Sequence, residues 1–162
     1  SAYDGGTLYI YGEGTVIDGM DFKRSIAIHD GGTIYILGND VTISNTSFAY
    51  TNASHNGGAV YVAGNNSKIV NSSFAICIAK DGGDGGAIYI AGLNATVEAS
   101  RFNTTQSAQG KGGAIFIAGD NATVVDSTLV VSSESLYHPS NSYPSSKLPT
   151  LPKNAPPPLV AK

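Results

Sequence analysis

The chain is short of most residue types that would announce a site. Of its 162 residues 13% are charged, tryptophan is absent, cysteine and methionine occur once each, and every proline lies between Pro139 and Pro158. With a net charge of -3 there is no basic stripe to neutralise phosphates, so nucleic acid is not an expected partner. No apolar run approaches the roughly 20 residues of a membrane-spanning helix. Cys77 has no mate within the chain, which excludes an internal disulfide or a multi-cysteine metal site and leaves pairing between chains as its one route to a disulfide. Ser1 opens the sequence in place of a Met or an apolar leader, so the chain reads as a processed product or an excised piece.

What is present is a repeat. Gly-Gly pairs begin at Gly5, Gly31, Gly57, Gly85 and Gly112, at spacings of 26, 26, 28 and 27. Seventeen residues beyond each first glycine stand Phe22, Phe48, Phe74, Phe102 and Leu129, so only the return turn varies in length. Three and five residues beyond it come Leu8 and Ile10, Ile34 and Ile36, Val60 and Val62, Ile88 and Ile90, and Ile115 and Ile117. That alternation has a period of two and predicts strands. Ile17, Ile43, Ile69, Val97 and Val124 supply a further inward position.

One such unit cannot bury its own apolar faces, whereas stacked units pair each strand with its copies above and below. The expected fold is therefore all-β, a right-handed parallel β-helix (β-solenoid) of about five coils. Its hand follows from the preference of parallel crossovers, and five coils at about 4.8 Å each make a rod roughly 24 Å tall. The helix is expected over residues 1–135, followed over 136–162 by a Pro-rich extended tail or linker arm, since the repeat stops near Val131 and Pro156-Pro157-Pro158 favours polyproline conformation.

The units Gly57-Gly58-Ala59-Val60, Gly85-Gly86-Ala87-Ile88 and Gly112-Gly113-Ala114-Ile115 carry a resemblance. The pattern resembles the Gly-Gly-Ala-Ile/Phe repeat of polymorphic outer-membrane proteins and of adhesin-like surface proteins of methanogenic archaea. The resemblance covers about residues 4–135 and implies a β-helical passenger with adhesive or envelope roles.

Three features bear on function. Asn-X-Ser/Thr sites occur at Asn45, Asn52, Asn65, Asn71, Asn94, Asn103 and Asn121, against about two expected by chance from this composition. They are candidate N-glycosylation sites of an extracellular, cell-surface protein; equally, Asn, Ser and Thr are the residues that β-helix turns use. Tyr9, Tyr35, Tyr61, Tyr89 and Phe116 form an aromatic ladder expected to face outward as an assembly face, able to dock a second rod, hold the tail or stack sugar rings. Finally, a rod with open strand edges is expected to be a fragment or to stack end to end, because bare edges template pairing.

Catalytic chemistry has little to work with. Polysaccharide lyases and hydrolases need clustered or paired carboxylates, and most acids here sit singly in turns. The ladder Asp4, Asp30, Asn56, Asp84 and Lys111 offers calcium a place between Asp4 and Asp30, but such residues more often bond the backbone. His29 and His55 occupy equivalent positions on successive units, two ligands where a metal site wants more. The expectation is thus no enzyme, no catalytic residue, no metal and no cofactor. The chain reads as a secreted structural subunit that self-associates into a homopolymer and carries N-linked glycans. An adhesin fragment binding glycans or cell surfaces is the alternative, and a polysaccharide lyase or hydrolase a third.

Overall fold

The computed structural model describes residues 2–130 together with Leu136 and Tyr137. Each coil contributes short strands at the places where the apolar alternation predicts them. The first holds β1 (Leu8–Ile10), β2 (Val16–Asp18), β3 (Asp21–Lys23) and β4 (Ile26–Ala27), and the second β5 (Ile34–Ile36), β6 (Thr42–Ser44) and β7 (Ser47–Ala53). The third holds β8 (Val60–Val62), β9 (Lys68–Val70) and β10 (Ser73–Ala79). In the fourth are β11 (Ile88–Ile90), β12 (Thr96–Glu98), β13 (Arg101–Asn103) and β14 (Gln106–Ser107), and in the fifth β15 (Ile115–Ile117), β16 (Thr123–Val125) and β17 (Thr128–Val130).

All pairings are parallel and join equivalent residues of neighbouring coils, which makes a β-solenoid of three sheets. One sheet runs β1-β5-β8-β11-β15, the second β2-β6-β9-β12-β16, and the third β3-β7-β10-β13-β17, with β4 on β7 and β14 on β10. β18 (Leu136–Tyr137) lies past the boundary expected after residue 135 and adds a sixth rung to the first sheet, opposite Ile115 and Phe116. The rest of the tail expected over 136–162 lies outside the described residues.

Because each coil repeats the last, most inward residues stack on their own kind or on a similar apolar residue. Phe48, Phe74 and Phe102 are buried, with ring centroids 4.8 Å apart and planes within 3°. The Ile and Val positions beside them are buried through coils two to five, and each such side chain taken from water contributes about 1.5–3 kcal/mol.

Glycine makes the tight stack possible in two ways. The first residue of each Gly-Gly pair has φ of 60–68°, a conformation costly for L side chains. Other positions are held by the backbone above or below: a Cβ on Gly32 would stand 2.0 Å from the Gly58 carbonyl oxygen, and one on Gly64 would stand 1.9 Å from that of Gly38. The latter belongs to a third glycine column, Gly12, Gly38, Gly64, Gly92 and Gly119, in which the missing Cβ points toward the preceding coil.

Candidate functional site

Turn residues hold the coils together through side-chain ladders. In the ladder ahead of the Gly-Gly pairs, the N–H of each residue donates to the carboxylate or amide oxygen one coil below. Asp30 donates to Asp4 Oδ1 (3.2 Å), Asn56 to Asp30 Oδ1 (2.8 Å), Asp84 to Asn56 Oδ1 (2.9 Å) and Lys111 to Asp84 Oδ1 (2.6 Å). The backbone role weighed against calcium is therefore the one these oxygens fill. A second ladder uses hydroxyls: the N–H groups of Thr46, Ser72 and Ser100 donate to Ser72, Ser100 and Ser127 Oγ at 3.1–3.3 Å.

The sequon asparagines fall into two groups. Asn45, Asn71, Asn94 and Asn121 have φ of 46–58°, the left-handed turn conformation that asparagine tolerates best. Their amides bridge coils: Asn45 Nδ2 donates to Asp18 Oδ1 (2.8 Å), Asn71 Nδ2 to Asn45 Oδ1 (2.7 Å) and Asn94 Nδ2 to Asn66 Oδ1 (3.1 Å). Asn65 Oδ1 accepts the Leu93 N–H. Turn geometry thus accounts for five of the seven. Asn52, half-buried in β7, and Asn103, exposed in β13, hold no such turn position. Asn45 and Asn71 stack directly, about 4.8 Å apart, which leaves room for a glycan on one of them at a time.

In the aromatic ladder, rings from Tyr9 to Phe116 stack at 4.8–5.1 Å with planes within 13°. Its exposure falls along the ladder. Tyr9 is 53% exposed, Tyr35, Tyr61 and Tyr89 are half-buried, and Phe116 is buried at 7%. Phe116 alternates with the inward Ile115 and Ile117, and the β18 backbone runs alongside it. Ring faces in the middle of the ladder are spent on one another, so a sugar would meet edges where it needs a face. Burial raises the phenols of Tyr35, Tyr61 and Tyr89 above their ordinary value, and neighbouring phenols and carboxylates add to the shift.

Cys77 is fully buried, its S–H pointing weakly at the carbonyls of Ala75 (3.8 Å) and Phe48 (4.0 Å). Burial pushes the thiol up to about 12, so it stays protonated near neutral pH. A disulfide between chains, the one route to pairing that the sequence leaves it, would require the coil to open.

A shallow cleft of about 300 Å³ is lined by Asn45, Ser47, Asn71, Ser73 and Arg101 among others, none of them an acid. Carboxylates gather instead at the corner before the first Gly-Gly pairs. There His29 Nδ1 lies 3.0 Å from Asp4 Oδ1 and 3.2 Å from Asp30 Oδ2, and the His55 ring meets that of His29 edge-on with centroids 4.4 Å apart. Sequence reading treated the two histidines and the two aspartates as separate columns. The signal was the adjacency of His29 and Asp30, at the positions that Tyr3 and Asp4 hold one unit earlier, which becomes a cluster only when the coil register is known. No protein-family model, curated protein or solved structure matches the chain.

Proposed function

We propose that this chain is a secreted structural subunit of an extracellular filament, sheath or surface layer, in which the coils of one copy stack on those of the next. The first coil carries the reading. Among the described residues eleven large apolar side chains are exposed, and seven of them lie on it or just ahead of it: Tyr3, Tyr9, Tyr11, Val16, Met20, Ile26 and Ile28. Equivalent positions higher up bear Thr42, Thr46 and Asn52, or fall to half-buried as Tyr35 and Ile78 do because a coil covers them on both sides. An edge meant to face water is normally blunted with charge, proline or a bulge; this coil exposes Glu13, Asp18, Asp21, Lys23 and Arg24, and among them a set of large apolar side chains that water alone would not favour.

Gly12 supports the same reading. A Cβ there would meet only Thr15 Oγ1, at 3.6 Å, so the described coil leaves room for a side chain. Every other glycine of its column is forced by the carbonyl of the coil beneath. Secretion rests on the sequons that turn geometry leaves over, of which Asn103 is the exposed one.

Electron microscopy of native material over a range of concentrations tests the proposal, beside the variant Gly12→Ala. Wild-type chains should form filaments one rod wide, and G12A chains of unchanged circular dichroism should remain dispersed. Dispersed rods at every wild-type concentration would overturn the proposal and favour an adhesin acting as a single rod. So would filaments that form equally well from G12A.

A further inference from the structure

The corner at His29 has more in it than the stack requires. In the ladder that runs through Asn56, an amide oxygen receives the N–H of the next coil as well as a carboxylate does. At the histidine position the fourth and fifth coils carry Gly83 and Gly110, so the turn has no need of an imidazole. Only the lower coils combine the two: His29 above Tyr3, His55 above His29, and carboxylates at Asp4 and Asp30 beside them.

The geometry points to a binding site for a divalent transition-metal ion of the zinc type, held by His29, Asp30 and His55 with Asp4 alongside. One donor atom from each of the first three lies within 4.8 Å of the others. Zinc bonds of about 2.0–2.2 Å bring tetrahedral ligand atoms to roughly 3.5 Å apart. The His29 nitrogen and the Asp30 oxygen are already at 3.2 Å, and His55, being exposed, can turn to close the remaining gap. The two oxygens of Asp30 have separate tasks. Oδ1 is fixed by the Asn56 N–H, and Oδ2 faces the imidazole. A ligand carboxylate oriented in this way by a backbone donor is a recurring feature of metal sites.

Two imidazoles with carboxylate oxygens suit zinc, nickel, cobalt or copper, whereas calcium and magnesium prefer all-oxygen shells. The ion would bridge the first three coils, Asp4, His29 with Asp30, and His55 each arriving from a different level. The His29 side chain is 34% exposed, so the site opens to solvent and leaves a coordination position for water.

The test is titration of the full, metal-stripped chain with Zn²⁺ against a chromophoric chelator, read with the thermal midpoint. Wild type should bind one equivalent and melt higher with zinc. Asp30→Asn keeps the acceptor for the Asn56 N–H and should fold normally. It and His55→Gln should each weaken binding by at least about tenfold. If the wild type binds no zinc, or binds it as well as the D30N and H55Q variants do, no site exists at this corner.

Discussion

The first coil and the three coils above it share one plan, and they differ in what lies beneath them. In coils two to four every strand residue of the three main ladders has a copy of its position above and below. Phe74 is pressed between two parallel rings, while Phe22 has one ring neighbour, 5.3 Å away and tilted 20°. The hydroxyl ladder shows the same change. Thr46, Ser72, Ser100 and Ser127 all turn back onto a carbonyl two residues earlier, and at the first coil the column ends on the exposed Met20. In such a rod, stability is a property of neighbouring levels more than of any one coil, as in other linear repeats. The end coil is the place where that support is incomplete.

Five substitutions, in three comparisons, would break or sharpen this contrast. The greatest effect is expected within the third glycine column. Gly64→Ala drives a Cβ into the Gly38 carbonyl and should prevent the rod from forming, read as loss of the β signal in circular dichroism and of a cooperative melt. Gly12→Ala, in the same column on the edge coil itself, should change monomer stability by less than about 0.5 kcal/mol. Equal damage from both would mean that the first coil is not an edge at all.

Next in size is the phenylalanine column. Phe74→Ala opens a cavity between two stacked rings and should cost about 3–5 kcal/mol, whereas Phe22→Ala should cost about 2 kcal/mol because the end can close over the gap. Urea midpoints would measure both. If coils of another copy cover the first, the Phe22→Ala cost in assembled material should rise toward that of Phe74→Ala.

The smallest effect concerns alkaline pH. Tyr35, Tyr61 and Tyr89 hold their protons more tightly in the fold than in the unfolded chain, whose phenols ionise near pH 10. Their contribution is complete below about pH 10 and is lost as the pH rises through the folded values, because the unfolded chain then releases protons that the rod retains. Tyr61→Phe, which repeats the choice already made at Phe116, should flatten part of that decline. Urea midpoints at about pH 8 and about pH 11 that move equally in the variant and the wild type would refute this assignment.

The fold was legible in the sequence because a solenoid interior is read in one dimension. Each column must accept its own residue stacked on itself, so Ile, Val and Phe recur at fixed offsets. The aspartate and histidine columns were visible too, but each was followed on its own, and a contact that joins the two columns runs diagonally from Asp4 to His29 across the stack. The third glycine column went unread for another reason. At Gly38 or Gly64 neither φ nor the local turn calls for glycine; the carbonyl of the preceding coil does, and that distance exists only after stacking. Burial of Phe116 comes from outside the repeat, where the β18 rung runs. The excess of asparagine had two causes that composition could not separate, and the left-handed turns supply one of them.

Variation in coil length has one address. Ala27 and Gly31 are as far apart in sequence as Ala53 and Gly57, while two residues are added between Ala79 and Gly85 and one between Ser107 and Gly112. The added Asp81 and Gly82 have φ of 48° and 83°, and the space where Gly82 lacks a Cβ is empty to 4 Å. At every other turn of the coil, a change in length would shift whole columns out of line. Here it only enlarges a loop that leaves the rod and returns to the same level, so this corner can gain, lose or exchange sequence while the stacking beneath it stays constant.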